Sequence, residues 1–325
     1  MGTPTYIAVA LVLLSSTDGS AQNRPRIETE IIGSFQNSQW TVPMGINNRG
    51  DIVGYVAPTG TMAGFNAFMW TRDAGFQLIA TDAVATDINN RGDVTGYTYE
   101  CVSTPTGGSC APHGFVWNPR TGFTQLGDLV PAAINNRGDV AGDCSTGETL
   151  AACAILNGER VQWTCEEPSC GQVASGINER GDVVGWRFSP DFEEAMFFPR
   201  GGSPIVLGAQ TAEDINNAGT IAGRAPTTVW PSNATLWTRA GLIQAPSPET
   251  TVAVAVNARG WAAGIQFGSG APNQAFFWDG SGPTLTLLAP GSPGSEATDI
   301  NDRGEVVGYV WKDFSYQLVI WTVRR

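Results

Sequence analysis

One eleven-residue pattern recurs seven times along the chain, and this repetition limits the folds that the sequence can adopt. It reads GINNRGDIVGY at 45–55, and its first Asn recurs at positions 47, 89, 135, 178, 216, 257 and 301. Successive copies are therefore 42, 46, 43, 38, 41 and 44 residues apart. Self-similarity at such a period is typical of repeat architectures, in which each copy is one supersecondary unit.

Each copy also has a second half, an apolar run that usually ends in Trp. Examples are NAFMW at 66–70 and QAFFW at 274–278, while the third and fourth copies carry CAILN at 153–157 and AMFFP at 195–199 instead. A turn and another short apolar run follow. Short runs of β-branched and aromatic residues bounded by Gly, Asn and Pro indicate strands, and apolar residues at helical spacing are missing over any useful length.

Four short antiparallel strands in a repeat of about 40–45 residues match a β-propeller blade. We therefore predict an all-β fold, a seven-bladed β-propeller, with a β-helix as the main structural alternative. The last copy ends in QLVIWTVRR without a fourth strand, and an unmatched run, IETEIIGSF at 27–35, precedes the first copy. We expect this N-terminal strand to complete the last blade, because an unclosed sheet would expose an open edge.

The residues at 47–50, Asn-Asn-Arg-Gly, have the composition of a tight turn between two strands. Asn at the first position can accept a backbone hydrogen bond, and Gly at the fourth supplies the positive φ of a bulged type I hairpin. A second glycine, Gly54 in the first copy, sits inside a strand, and we expect the third-strand Trp to pack over it. The predicted structural turn residues are Asn47, Gly50, Asn89, Gly92, Asn135, Gly138, Asn178, Gly181, Asn216, Gly219, Asn257, Gly260, Asn301 and Gly304.

The tripeptide Arg49-Gly50-Asp51 inside this turn is the signature that integrins bind. It returns in the second, third and fourth copies, but the last three copies have Thr220, Trp261 and Glu305 in place of Asp. The tripeptide loses its residues in the same copies in which the rest of the repeat diverges. This is expected of a structural turn and not of a cell-binding motif. We therefore interpret the tripeptide as part of the scaffold and keep an adhesin as the third functional hypothesis.

The recurring I-N-x-R-G-x-V-x-G-Y followed by A-F-x-W resembles the HAF family of extracellular repeats, found mainly in bacterial secreted proteins. The resemblance covers about residues 40–321, and the third and fifth copies depart most from the pattern. It implies an extracellular location and a repeat architecture. It supplies no enzymatic activity and no catalytic residues.

The N-terminus has the character of a secretory signal. The apolar stretch at 6–14 is too short to span a bilayer and is followed by small residues, although no Lys or Arg precedes it. We predict a signal peptide at 1–21 and a single domain at 22–325, secreted or periplasmic, with an uncleaved anchor as the alternative. In an exported chain, close pairs of cysteines favour disulfides. The candidates are Cys101 with Cys110, Cys144 with Cys153, and Cys165 with Cys170.

Composition excludes several classes of partner. A net charge of −12 repels phosphate backbones, so no nucleic acid is expected. The mature chain has no membrane span long enough to cross a bilayer, and we predict a monomer. The chain has one histidine and no C-x-x-C motif, so we predict no metal site and no other cofactor. Residues 87–92 resemble a calcium loop, but Arg91 occupies a ligand position and Thr98 stands where the terminal Glu belongs.

The sequence offers little evidence of catalysis. His113 stands where other copies have Asn or Gln, so we interpret it as structural. Acids such as Asp51 and Asp87 each recur at their own repeat position in other copies, and we interpret them as structural too. Asp191, Glu193 and Glu194 do not repeat and are better candidates for an enzyme. We expect no enzyme.

Loops between the second and third strands differ between copies and carry aromatic side chains, as ligand-binding loops on a rigid frame do. We therefore predict a non-catalytic binding or structural protein with an unknown extracellular ligand, a glycan or a protein. The first alternative is a polysaccharide-active hydrolase or lyase. The candidate ligand-binding residues are Tyr99, Phe188, Phe192, Trp230, Phe267 and Trp311.

Overall fold

The computed structural model describes residues 25–57, 64–104, 107–145, 147, 149–165, 167, 169–226, 232–245 and 249–324. These residues form 28 β-strands and one 3-10 turn, Phe35–Asn37, with no α-helix among them. This part of the chain accordingly holds no helix that could cross a membrane. The protein is all-β, as the repeat predicted, and the predicted signal segment 1–21 lies outside the described residues.

The strands follow the repeats in chain order. The first five are β1 (Arg26–Gly33), β2 (Trp40–Ile46), β3 (Ile52–Ala57), β4 (Asn66–Thr71) and β5 (Gly75–Ala80). The second repeat contains β6 (Ala83–Ile88), β7 (Val94–Thr104), β8 (Gly107–Asn118) and β9 (Gly122–Gly127). The third contains β10 (Val130–Ile134), β11 (Val140–Ser145), β12 (Leu150–Leu156) and β13 (Glu159–Trp163).

The later repeats have the same order. The fourth contains β14 (Gly171–Ile177), β15 (Val183–Phe188), β16 (Glu193–Phe198) and β17 (Ile205–Ala209). The fifth contains β18 (Thr211–Ile215), β19 (Ile221–Pro226), β20 (Ser232–Thr238) and β21 (Gly241–Gln244). The sixth contains β22 (Thr251–Val256), β23 (Ala262–Gln266), β24 (Gln274–Trp278) and β25 (Leu285–Thr286), and the seventh β26 (Ser295–Ile300), β27 (Glu305–Lys312) and β28 (Ser315–Arg324).

Each of the second to sixth repeats is a separate antiparallel sheet of four strands in chain order. The first and seventh repeats share one eight-stranded sheet, but a single parallel bridge between Trp40 and Tyr316 is all that pairs β2 with β28. Strand β1 runs antiparallel to β28, with Arg26 opposite Arg324, and so lies as a fourth strand beside the seventh repeat. Several four-stranded antiparallel sheets in this order are an arrangement of propeller type.

The first strand of every repeat carries a bulge opposite the in-strand glycine. A Cβ added at Gly54 would overlap the carbonyl oxygen of Val42, and the other six copies show the same overlap with the first strand. The expected packing of the third-strand Trp over this glycine is found at Gly308, beside Trp321. The close backbone of the bulge is therefore what requires glycine in all seven copies.

The core lies between consecutive sheets. One cluster combines Met69 of the first repeat with Phe115 of the second, and another combines Phe68 of the first repeat with Ile320 of the seventh. Each sheet therefore buries a face against its neighbours, as four short strands need to do for stability.

Two of the predicted loops are strand instead. Residues 98–104 and 107–112 extend β7 and β8 into a long antiparallel pair, and 310–316 continues β27 and β28. The long pair places the Cα atoms of Cys101 and Cys110 opposite each other, although their side chains lie outside the described part of the chain. Disulfides join the other two predicted pairs, Cys144 with Cys153 and Cys165 with Cys170.

Candidate functional site

The repeated turn is held by its first Asn. In the first copy, the Oδ1 atom of Asn47 accepts hydrogen bonds from the backbone N–H groups of Arg49 (2.9 Å) and Asp51 (3.0 Å). The N–H of Gly50 donates to the Asn47 carbonyl at 3.0 Å, and Gly50 has φ of +85°. The predicted turn glycines of the other six copies also have positive φ, which only glycine adopts readily.

The same Asn side chains connect successive repeats. All seven are buried, and six of them donate from Nδ2 to the carbonyl oxygen of the equivalent Asn in the next repeat. These bonds run from Asn47 to Asn89 (3.2 Å), Asn89 to Asn135 (3.0 Å), Asn135 to Asn178 (3.0 Å), Asn216 to Asn257 (2.8 Å), Asn257 to Asn301 (3.0 Å) and Asn301 to Asn47 (3.0 Å). A buried amide that bonds both within its turn and to the next repeat stabilises the packing of the sheets.

The charged residues of the integrin-type tripeptide are already paired. The Arg49 guanidinium lies 2.5 Å from Oδ2 of Asp51, which also accepts from Nδ2 of Asn47 at 3.0 Å. Burial disfavours the charge of the equivalent Asp93, but hydrogen bonds from Asn89 and Arg91 outweigh it and lower the pKa of Asp93. The turn thus uses these side chains internally instead of presenting them on a free loop tip.

All seven turns border one cavity of about 180 Å³, which we call the Asn-lined pocket. Backbone N–H groups and amide side chains make its wall polar. Its lining segments are 46–48, 87–90, 134–136, 177–179, 214–217, 256–258 and 299–302. Because the turns all lie at the same end of their strands, this pocket opens at the end opposite to the loops between the second and third strands.

Three carboxylates enter this pocket from one repeat position. Asp87, Asp214 and Asp299 stand directly before the conserved pattern's Ile, where the other four copies have Gly or Ala. A Cβ added at Gly45 would lie 3.0 Å from Oδ1 of Asp87, so the glycine makes room for that carboxylate. Gly176 has the same relation to Asp214, with an added Cβ 3.2 Å from its Oδ1, so a small residue in the repeat before the acid is a packing requirement at both places.

Each of these carboxylates accepts two backbone hydrogen bonds. Asp87 Oδ1 accepts from the N–H of Ile88 at 2.6 Å, and Oδ2 accepts from Ile134 of the next repeat at 2.8 Å. Equivalent bonds at 2.7–2.8 Å join Asp214 to the sixth repeat and Asp299 to the first. Within the described ranges, no Arg or Lys forms an ion pair with any of the three.

Burial without a cation shifts the protonation of these acids. Burial raises the pKa of Asp87 to about 6 and also raises the pKa of Asp214. The pKa of Asp299 is raised well above its ordinary value by burial and by the charges of Asp87 and Asp214. Near neutral pH a protonated and an ionised carboxyl can therefore coexist here, the condition for general acid and general base catalysis.

The candidate ligand-binding aromatics do not meet at one site. Tyr99 is exposed and packs edge-on against Tyr97, while Phe192 stacks on the Arg187 guanidinium. Among the residues that the structure describes, no aromatic contact joins two members of the predicted set. Phe188 and Phe267 are exposed in the fourth and sixth repeats, Trp311 packs on Tyr316 with 5.0 Å between ring centroids, and Trp230 lies outside the described residues.

The candidate acids for an enzyme are dispersed as well. Glu194 pairs with Arg187, and Glu193 lies 3.6 Å from Arg224. His113 lies 3.3 Å from the exposed Glu100. It is not among the residues lining the Asn-lined pocket, to which its repeat contributes 87–90. Sequence reasoning missed the pocket acids because it treated repeated acids as structural. The signal that could have revealed them is the change from Gly or Ala to Asp before Ile.

Comparisons with known proteins bear on the fold. No family model matches the chain, and no curated protein matches it, so the resemblance to the HAF family stays a prediction. Solved structures do match. They include Pyrococcus horikoshii acylaminoacyl peptidase (TM-score 0.60, 9% identity, 87% of this chain and 51% of that chain), a puromycin hydrolase (0.57, 14%, 86% and 52%) and a structure from work on two prolyl endopeptidases (0.59, 9%, 87% and 50%).

This chain spans about half the length of these solved structures. At such low identity the likeness shows the fold alone. The finding nevertheless contradicts the prediction of a non-catalytic binding or structural protein, because the proteins with this arrangement of sheets are named as peptidases and a hydrolase. The prediction failed because repetition along the sequence was equated with a structural role, whereas repeated positions also converge in space.

Proposed function

We propose that this chain is a polysaccharide-active hydrolase on a propeller scaffold, with Asp87, Asp214 and Asp299 as its acid–base groups. The observation that carries the proposal is the convergence of three carboxyl groups, without a paired cation, on one polar pocket. The similarity of the fold to proteins named as hydrolases supports it as precedent.

The chemistry needs two carboxyl groups in different protonation states. Hydrolysis of a glycosidic bond uses an acid that protonates the leaving oxygen and a carboxylate on the other side of the reacting carbon. Asp299, whose pKa is raised well above its ordinary value, is the candidate acid and would give its proton to the glycosidic oxygen as the C–O bond breaks. Asp87 is the candidate base and would take a proton from the attacking water.

The walls of the pocket suit a hydroxyl-rich substrate. Asn48 and Asn90 belong to the polar lining, together with Asp302. Amide groups can donate hydrogen bonds to sugar hydroxyls and accept them, and an ionised carboxylate can accept them. A Ser-His-Asp peptidase site is not supported, because His113, the single histidine, pairs with Glu100 across strands β7 and β8.

We also infer that the sheets form seven blades in a closed ring with the Asn-lined pocket on its axis. The contacts between the last and first repeats support this inference. Asn301 donates to the carbonyl of Asn47 at 3.0 Å, and the N–H of Ile46 donates to Asp299 at 2.7 Å, as between other successive repeats. Strand β1, paired with β28, would then be the fourth strand of the last blade.

Export to an oxidising compartment belongs to the same proposal. The two disulfides support it, since such bonds persist in secreted and periplasmic proteins. A polysaccharide substrate would be met in that compartment.

The test is an assay of the purified full chain against a panel of neutral and acidic polysaccharides, with release of reducing ends as the readout. Asp87→Asn and Asp299→Asn should each lower the rate by about a thousandfold, the size of a lost general acid or base. Asp143→Asn is the matched control. Burial also raises the pKa of Asp143 to about 6, and it accepts a backbone N–H from Ala174, but it is not among the residues lining the pocket.

Two results would overturn the proposal. One is a folded protein that releases no reducing ends from any polysaccharide. The other is activity that survives both pocket substitutions. An aminoacyl chromogenic substrate should be run in parallel, because cleavage of that substrate alone would replace polysaccharide with peptide as the substrate class.

A further inference from the structure

A second cavity lies at the opposite end of the strands from the Asn-lined pocket. It has a volume of about 150 Å³ and lies between the sixth and seventh repeats. We call it the aromatic cleft and define it by Asn273, Glu296, Tyr309, Trp311 and Tyr316. Four of these five residues come from the seventh repeat, which places them on one rigid sheet.

Aromatic rings form one wall of the aromatic cleft. The Tyr316 ring lies 4.9 Å from Tyr309, 5.0 Å from Trp311 and 6.4 Å from Trp40, centroid to centroid. All four side chains are partly exposed. Rings in mutual contact that keep part of their surface open present an electron-rich face, which attracts the polarised C–H groups on the face of a sugar ring.

A carboxylate stands within the aromatic cleft. Glu296 Oε1 accepts from Nδ2 of Asn273 at 2.8 Å, and Oε2 accepts from the hydroxyl of Tyr309 at 2.5 Å. Burial, with the Glu296 carboxylate beside it, raises the pKa of Tyr309, so its hydroxyl keeps its proton. Each carboxylate oxygen retains a further lone pair with which to accept a hydrogen bond from a ligand hydroxyl.

The charge of this carboxylate limits the class of ligand. In the part of the chain that the structure describes, no Arg or Lys pairs with Glu296. An anionic sugar such as a uronic acid would therefore meet a negative charge without a compensating cation. A neutral sugar would meet only hydrogen-bonding groups and aromatic faces.

The hairpin that ends beside the aromatic cleft carries backbone strain. Asp313 and Phe314, at its tip, have φ of +50° and +61°. Asp is common at the first position of such a turn, but the second position usually holds Gly, so the strain lies at Phe314. Phe314 is 85% exposed, more than any other large hydrophobic residue described. Strain of this kind is found at ligand-binding sites, and here it holds an additional aromatic side chain in solvent, one residue pair beyond Trp311 and Tyr316.

We propose that the aromatic cleft binds a neutral pyranose unit of a polysaccharide, with Trp311 and Tyr316 against the face of the ring and Glu296 and Asn273 bonded to its hydroxyls. The size of the cavity suits one sugar unit. The site is separate from the Asn-lined pocket, so binding here does not depend on the proposed hydrolysis.

The test is calorimetric titration of the full chain with neutral gluco- and manno-oligosaccharides and, as the contrasting probe, with oligoglucuronic acid. The neutral oligosaccharides should bind and the uronate should not. Trp311→Ala and Tyr316→Ala should each raise the Kd by about tenfold or more, as removal of a central aromatic contact does. Glu296→Gln keeps the shape and should raise the Kd as well, even if an aromatic substitution disturbs folding.

Phe188→Ala is the matched control, because Phe188 is an exposed aromatic of the fourth repeat, at the same end of the strands. It should bind like the unaltered chain, and so should Asp299→Asn, which separates this inference from the hydrolase. Any of three results overturns the proposal: no neutral oligosaccharide binds, the uronate binds equally well, or Glu296→Gln and Trp311→Ala both bind normally while folded.

Discussion

Two sets of carboxylates in the same repeats differ in charge state for a reason that burial alone does not explain. Asp139, in a turn, is only 3% exposed, yet its pKa is lowered, because hydrogen bonds from Asn157, Asn135 and Arg137 outweigh the effect of burial. Asp87 is in contact with the open pocket, yet burial raises its pKa to about 6. Asp139 has backbone, amide and guanidinium partners, the N–H of Asn157 first among them, whereas Asp87 has only two backbone N–H partners and, among the described residues, no cation against its desolvation.

This comparison shows how one repeat carries two kinds of acid. Asp93, Asp139 and Asp182 have a cation and amide partners, which lower their pKa and favour the ionised form that holds the turn. The pocket acids accept only backbone N–H groups, and burial raises their pKa, that of Asp87 to about 6. An acid that changes its protonation state near neutrality is suited to catalysis, whereas a permanently ionised and paired acid is suited to structure.

The largest effect on stability is expected from a turn acid. Asp139→Ala should lower the free energy of unfolding by about 3 kcal/mol, because it leaves the buried amide of Asn135, the backbone N–H of Asn157 and the charge of Arg137 without their acceptor. Urea denaturation measures the change. Asp128→Ala is the control, since its bond to Arg160 lies on the surface and should be worth about 0.5 kcal/mol. Equal losses in the two variants would refute the distinction.

A smaller effect is the pH dependence of the free energy of unfolding, which has opposite signs for the pocket acids and the turn acids. The pKa of Asp87 is higher in the folded protein than in the unfolded chain, so the folded state binds more protons between about pH 4 and pH 6. Its contribution to stability is complete below pH 4 and is lost as the pH rises through about 6, by about 2–3 kcal/mol if the shift is fully expressed.

For turn acids such as Asp93, whose pKa is lowered, stability is present above pH 4 and is lost on acidification. Urea denaturation at pH 4.5 and pH 7 should therefore show the unaltered chain losing stability toward pH 7, and Asp87→Asn losing less. If the difference between the two pH values is unchanged in Asp87→Asn, then Asp87 does not titrate in this range.

The smallest effect tests the role of the guanidinium directly. Arg91→Gln removes the cation beside Asp93 while keeping a hydrogen-bonding side chain. The pKa of Asp93 should rise toward that of an ordinary Asp, measured by NMR titration of the carboxyl carbon. The free energy of unfolding should fall by about 1 kcal/mol or less, because the Arg91 side chain is half exposed. An unchanged pKa would mean that the Asn89 and Asn118 amides suffice on their own.

Much of the fold could be predicted because its signals are local. Asn and Gly at fixed positions mark the turn between the first two strands, and alternating apolar residues mark the strands themselves. The unmatched run at 27–35 was recognised as a strand without a repeat, and β1 lies beside β28. The continuation of β27 and β28 across 310–316 was not predicted, because Phe314 occupies the turn position that usually holds Gly.

The candidate sites could not be predicted, because they combine residues that are distant along the chain. Asp87 and Asp299 share a pocket although 212 positions separate them along the chain. Trp40 and Tyr316 meet from opposite ends of the chain. Of the predicted ligand-binding residues, Trp311 belongs to the aromatic cleft, while Glu296, Asn273 and Trp40 were not among the candidates.

The sequence alone determined the repeat, the turn chemistry and the all-β character, since hydrogen bonds and steric limits within a few residues decide each of these. It favoured local cysteine pairs without fixing their connectivity, and the structure joins two of those pairs. Only the tertiary structure decided which acids are paired and which face a pocket without a cation. The charge of a carboxyl depends on its desolvation and on neighbours brought close by the packing of sheets, and neither is encoded in the residues beside it.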